Sequence, residues 1–162
     1  TPQPDPVSPT RSRRGRAPRD KHLIAAMDQN PFLDDPGAER GEKIWRELQF
    51  NLEFDSHDNA IAVLMRVLLE LSVGYYARRQ GMAFSFNDTL AYRVGAVADS
   101  MLNRGFIDGK GRSIIRKFES DKPIVSAHSM QQYVHNPNFH PARSDLQSIW
   151  NVIRPLIINS VR

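Results

Sequence analysis

Apolar residues recur at spacings of three and four along most of the chain after Pro36, a period typical of amphipathic helices. No segment alternates with period two for long enough to indicate a strand. Helices are predicted over residues 39–52, 59–80, from 87 or 88 to about 104, after 111, 126–133 and from 144 onward. The chain is therefore predicted to be all-α, a helical bundle of five to six helices.

Polar and glycine residues at the predicted helix ends suggest how each helix begins and stops. The expected N-caps are Ser56 or Asp58 for the second helix, Asn87 or Asp88 for the third, and Ser144 for the last. Gly81 and Gly105 are expected to end the second and third helices in the left-handed conformation. The fourth helix is expected to bury three apolar side chains, namely Ile114, Ile115 and Phe118.

The first 36 residues carry most of the prolines and few apolar side chains, which predicts a disordered Pro/Arg-rich linker over 1–36 and a bundle domain over 37–162. Five arginines crowd this basic leader, where they are expected to make non-specific phosphate contacts: Arg11, Arg13, Arg14, Arg16 and Arg19. A start without Met suggests that the leader joins the bundle to a further N-terminal domain.

The chain has no cysteine, which excludes disulfides, thiol catalysis and thiolate metal sites. The net charge is +4, and no apolar, uncharged run reaches the roughly 20 residues that span a bilayer. These features predict a soluble cytoplasmic protein that does not enter a membrane.

Three of the five histidines, His128, His135 and His140, lie close to the helix stop at Pro137. Their separations of seven and five residues fit neither the i, i+4 pair nor the compact loop that usually binds zinc. The sequence therefore predicts no metal ion, and no cofactor motif is present.

Catalysis by histidine with arginine is the main enzymatic hypothesis. A neutral imidazole accepts the proton of an RNA 2′-hydroxyl while an arginine stabilises the charge on the phosphate. The candidate residues are His135 with Arg66, Arg143 or His128. The structural alternative is that His135 and Tyr133 fix the turn before Pro137.

DNA recognition is a further hypothesis, because residues 94–118 contain a helix, a turn and a basic helix. A recognition helix rich in Arg, Asn and Gln and the strands of a wing are both missing from the sequence.

Two stretches resemble a known family. The run Ala60-Ile-Ala-Val-Leu-Met-Arg66-Val-Leu-Leu-Glu70-Leu-Ser resembles the central helix of bacterial HEPN-like domains, and Tyr133-Val-His135-Asn136 resembles their histidine-bearing end. The resemblance covers residues 41–158 and extends to C-terminal helical domains of bacterial ParB-like-domain proteins. It implies a helical bundle that often dimerises within toxin, phage-defence or nucleic-acid-associated systems.

Active HEPN ribonucleases carry an arginine, then four to six residues, then the histidine, so the arginine lies five to seven positions before the histidine. At the matching positions this chain has Met130, Ser129 and His128, so only His135 fits the motif. The expected function is therefore a non-catalytic interaction or dimerisation module whose partner is a second copy, another protein, RNA or DNA. A metal-independent ribonuclease and a DNA-binding module are the alternatives.

Overall fold

The computed structural model describes residues 20–121, 137–138 and 140–162, and in these ranges it contains five α-helices and no strand. The helices are α1 (Glu39–Arg46), α2 (Asp58–Gln80), α3 (Leu90–Asn103), α4 (Gly109–Asp121) and α5 (Arg143–Asn159). A π-helical turn, Glu47–Asn51, prolongs α1. The all-α bundle is confirmed, while the helix predicted over 126–133 lies outside the described residues.

Helix α2 lies at the centre and packs against α1, α3 and α5, whereas α4 packs against α3 and α5. Buried side chains occupy more than one face of α2, as is typical of a central helix. In the described part of the chain, α2 is the helix long and apolar enough to cross a membrane, but 61% of its apolar window is buried in the bundle. Such burial is compatible with a soluble protein.

The loop between α2 and α3 determines where α3 begins relative to α2. Near one end the Oη of Tyr76 and the Oγ of Ser100 are 2.9 Å apart, while Glu70 and Leu90 line one cavity farther back. The start of α3 therefore lies beside the middle of α2, Ser100 lies near the C-terminal end of α2, and residues 82–89 return along α2 to its middle. A crossover of this kind places loop residues beside the central helix.

The core joins the first helix to the last. The rings of Trp45 and Trp150 meet edge to face with centroids 5.6 Å apart, and Phe32 contacts Trp45 in the same manner at 6.3 Å. One face of α5 is apolar, and all six of its members are buried: Leu146, Ile149, Trp150, Ile153, Leu156 and Ile157.

Residues 20–36 belong to the folded domain, so the predicted linker boundary at 36 is wrong. Ile24 and Phe32 are fully buried. The side-chain amide of Gln49, in the π-helical turn, holds this segment. Its Nε2 donates to the carbonyls of Ala25 and Asp28 at 2.8 Å each. A few well-placed apolar residues and one buried amide thus fix a segment that has no helical period.

The helix ends agree with prediction at the C-termini and differ at the N-termini. Gly81 and Gly105 have φ of 68° and 73°, and each follows its helix as expected. The observed N-caps of α2, α3 and α5 are His57, Thr89 and Ala142, so the caps predicted at Ser56 or Asp58, at Asn87 or Asp88 and at Ser144 are wrong.

Helix α4 buries Ile115 and Phe118 as predicted, but Ile114 is 43% exposed. The buried position one turn earlier is Arg112. The helix starts at Gly109, three residues before the predicted start at 112. Arg112 turns inward because carboxylates on α3 and α4 accept hydrogen bonds from its guanidinium.

Candidate functional site

Several of the predicted site residues lie outside the described residues: His128, His135 and the leader arginines Arg11, Arg13, Arg14, Arg16 and Arg19. The pairing of His135 with Arg66 therefore stays a prediction. Arg66, Arg143 and His140 are described, and they lie in three different surroundings.

Arg66 lies in the middle of α2, where its side chain is buried. Its Nε donates to Oε1 of Glu70 at 3.1 Å, and the two residues form an i, i+4 pair on one side of the helix. The two side chains line a cavity of about 310 Å³ between α2, the returning loop and the start of α3. Arg66 thus contributes to the wall of a cleft formed by the crossover.

The opposite wall of this cleft carries Arg93 and Asp88. The Nη2 of Arg93 donates to the carbonyl of Ser85 at 3.0 Å, and its guanidinium lies 5.8 Å from the Phe84 ring centroid. A carboxylate oxygen of Asp88 accepts the amide N–H of Ser85 at 2.7 Å. With Arg66 and Glu70, the cleft therefore holds two cationic and two anionic side chains.

Three aromatic residues lie on the loop and at the start of α3, and we call them the aromatic surface: Phe84, which lines the cleft, Phe86 and Tyr92. The rings of Phe84 and Tyr92 meet edge to face at 6.4 Å. Phe86, at the turn of the loop, is 96% exposed, and Tyr92 is 61% exposed. Exposed aromatic rings beside an arginine are typical of protein interfaces.

His140 lies elsewhere, next to the start of α2. It borders a cavity of about 410 Å³ together with His57, Asp55 and Asp58. The Nδ1 of His57 accepts the amide N–H of Glu53 at 3.1 Å, which places the proton of the neutral ring on Nε2. Within the described ranges, no group of three or more His, Cys, Asp or Glu side chains is placed to hold a metal ion.

Arg143, the other arginine considered for catalysis, packs at the start of α5. Its guanidinium donates to the carbonyl of Asp20 and lies 4.7 Å from the Phe54 ring centroid. These contacts join α5 to the segment that precedes α1 and to the loop before α2. The cation–π geometry gives Arg143 a packing role at this position.

A polar cluster missed by the sequence analysis lies between α3 and α4. Arg112 Nε donates to Asp99 at 2.5 Å, and its Nη1 donates to Glu119 at 2.9 Å. The Glu119 carboxylate packs so close to Gly95 that a Cβ there would lie 3.0 Å from Oε2. The sequence does carry a signal for this cluster. Residues 112 and 119 are seven apart and lie on the same side of the helix as the apolar Ile115 and Phe118.

Burial raises the pKa of Glu119, and the charge of Arg112 only partly opposes this effect. The physical reason is that Arg112 divides its guanidinium between two carboxylates. Glu119 therefore gains less from the pair than burial costs its charged form.

Comparisons with protein-family models, curated proteins and solved structures find no match to this chain.

Proposed function

We propose that the chain is a non-catalytic helical interaction module that associates with a second copy of itself through the aromatic surface. The observation that carries the proposal is the exposure of Phe86 and Tyr92, 96% and 61%, on a loop and helix start that the core does not cover. The resemblance to HEPN-like domains, which often dimerise, and the association with a nucleic-acid or phage-defence system belong to the same proposal.

The charges around the aromatic surface favour a second copy over a strongly charged partner. The cleft holds Arg66 and Arg93 with Glu70 and Asp88, so its formal charges sum to zero. A two-fold contact places the same patch on both sides, and a patch that carries both signs side by side is complementary to itself. An acidic or a basic partner gains no such match.

The surface area that this dimer contact buries indicates how strong the self-association is. Burying Phe86 and Tyr92 of both copies removes on the order of 600 Å² from water, given 150–250 Å² per aromatic side chain. Stable interfaces bury about 1,200–2,000 Å² in total. The association is therefore expected to be weak and concentration-dependent.

The test is sedimentation velocity over a range of protein concentrations. The parent chain is expected to show a sedimentation coefficient that rises with concentration, and the double variant Phe86→Ser/Tyr92→Ser is expected to remain monomeric. Both side chains are exposed, so the melting temperature of the variant should stay close to that of the parent.

The matched control is Met27→Ser, which removes a side chain that is 97% exposed on another part of the surface. It is expected to associate like the parent. A parent that stays monomeric at the highest concentration, or equal dissociation of the control variant, contradicts the proposal.

A further inference from the structure

Gly74 is a glycine in the interior of the long helix α2. Glycine destabilises a helix interior relative to alanine, so its presence there requires a reason. Gly74 is exposed, and a Cβ built on it would have no atom within 4 Å among the described residues. At Gly41, by contrast, a Cβ would lie 3.0 Å from Cε2 of Tyr75. Packing within the described part of the chain therefore explains Gly41 but not Gly74.

The side of α2 that carries Gly74 is apolar. Leu64, Val67, Leu71 and Gly74 follow at spacings of three, four and three, so they lie on one side of the helix. The three apolar side chains are partly exposed, and the apolar window of α2 is only 61% buried. A helix that is apolar on all sides is typically buried all round. This side of α2 therefore has the composition of a contact surface.

The cleft between α2, the returning loop and the start of α3 opens over Gly74. Its apolar lining consists of Val73, Gly74, Phe84 and Leu90, around a volume of about 310 Å³. This volume is close to the lower limit, about 300 Å³, of sites that enclose a small molecule. Because residue 74 has no side chain, the space above α2 stays open at this point.

The charged side chains of the cleft are engaged within the chain. Glu70 pairs with Arg66. Asp88 accepts the amide N–H of Ser85, and Arg93 donates to the carbonyl of the same residue. An ionic ligand would have to compete with these contacts. The cleft therefore favours an apolar occupant, which leaves them in place.

Phe86 of a second copy meets this requirement. Its ring is apolar and 96% exposed, and in the chain it lies between Phe84 and Asp88, which both line the cleft. The ring and the cleft are therefore neighbours on the same surface. In a contact with two-fold symmetry, residue i of one copy meets residue j of the other and the reverse, so each ring has a cleft to enter.

We propose that Phe86 of each copy inserts into the cleft of the other, above Gly74. This inference rests on the self-association proposed above and identifies the site that receives the ring. Two inserted rings cover roughly 400 Å² of cleft wall in addition to the roughly 600 Å² of aromatic side chains, given 150–250 Å² per ring. The total of about 1,000 Å² is below the value of about 1,200 Å² for stable interfaces, which agrees with a weak contact.

The first test is Gly74→Leu, which fills the cleft and leaves the aromatic surface unchanged. Sedimentation velocity is expected to give a dissociation constant at least tenfold above that of the parent. Leucine has a higher helix propensity than glycine, so the melting temperature should not fall. The matched control is Ala60→Leu, which adds the same side chain at another exposed position of α2 and is expected to associate like the parent.

The second test locates the contact while the cleft keeps its own residues. A photo-reactive p-benzoylphenylalanine in place of Phe86 keeps an aromatic ring, and on irradiation it bonds to nearby C–H groups. In an equal mixture of isotopically labelled and unlabelled chains, mass spectrometry is expected to find crosslinks between chains from residue 86 to residues 71–74. The same photo-reactive residue in place of Met27, which is 97% exposed, is expected to give no such crosslink.

The outcomes distinguish this inference from the proposed self-association. Suppose that the parent associates and that Phe86→Ser/Tyr92→Ser abolishes the association. Normal association of Gly74→Leu, an equal loss in Ala60→Leu, or crosslinks from residue 86 to another part of the second chain then overturns the inference alone. A parent that stays monomeric at every concentration and gives no crosslink between chains overturns both.

Discussion

Two buried arginines, Arg66 on α2 and Arg112 on α4, meet their carboxylates in different ways. Arg66 pairs with Glu70 one turn along its own helix, and that carboxylate is 46% exposed. Arg112 joins two helices, because Asp99 comes from α3 and Glu119 from α4. The first pair lines a cleft with both charges, whereas the second joins α3 to α4.

The difference shows that burial alone does not assign a role to a charged residue. A local i, i+4 pair adds little to the packing of helices against each other, since both partners move with one helix. A pair that crosses between helices constrains their relative position. Three measurements of stability and its pH dependence separate the two arrangements.

The largest effect is expected for Arg112→Met. It leaves two carboxylates without their guanidinium, and the 20% exposed Glu119 stays packed against Gly95. Breaking a fully buried pair costs about 3–5 kcal/mol, and the partial exposure of both carboxylates reduces this to about 2–3 kcal/mol. Urea denaturation measures the loss in the free energy of unfolding.

The control for this change is Lys110→Met, an exposed position two residues earlier on the same helix. It is expected to change the free energy of unfolding by less than about 0.5 kcal/mol. If Arg112→Met costs no more than its control, then Arg112 does not fasten α3 to α4.

A smaller loss, about 1 kcal/mol, is expected for Arg66→Met, because Glu70 regains water when its partner is removed. Glu70→Gln, which keeps the hydrogen-bonding oxygen, should cost only about 0.3–0.5 kcal/mol. Both values come from urea denaturation under the same conditions. A greater loss for Arg66→Met than for Arg112→Met would reverse the comparison.

The smallest effect concerns pH and Glu119. Because burial raises its pKa above the ordinary 4.5, the folded state binds the proton more tightly than the unfolded state does. Its contribution to stability is therefore present below pH 4.5 and is lost as the pH rises through the raised value. Glu119→Gln removes this dependence and keeps an oxygen that accepts from Arg112.

The stability of the Gln variant relative to the parent is thus expected to increase between pH 4 and pH 7. The measurement is the free energy of unfolding of both proteins at each pH. A relative gain for the variant on acidification instead would mean that Arg112 lowers the pKa of Glu119 below its ordinary value.

The helices and their C-termini could be predicted because the signals there are strong and local. A three- and four-residue apolar period identifies α2, α3 and α5, and a left-handed end admits glycine with little cost, as at Gly81 and Gly105. These features depend on residues that are neighbours in the chain.

The N-caps could not be assigned from residue type because the aspartates bond backward into the preceding loop. Asp58 accepts the N–H of Asp55 and Asp88 that of Ser85, each three residues earlier. A carboxylate used in this way does not cap its own helix. The choice depends on loop conformation, which the cap residue alone does not specify.

Residues 20–36 and the candidate site were missed for a related reason, since their partners are far away in sequence. Ile24 is buried because Gln49 holds the neighbouring carbonyls, and no periodicity reports such an amide. The loop that brings Arg93 opposite Arg66 likewise depends on tertiary packing, which local sequence patterns do not report. The sequence could propose Arg66 as a site residue but could not supply its neighbours.

The contact between Trp45 and Trp150 has a consequence for synthesis of the chain. Domains generally fold as units while the chain emerges from the ribosome, N-terminal parts first. Here α1 presents an indole that α5 must cover, so the nascent bundle keeps an aromatic face exposed until its last helix has emerged. Ribosome-bound chains arrested before α5 should therefore recruit chaperones, and release of α5 should end that recruitment.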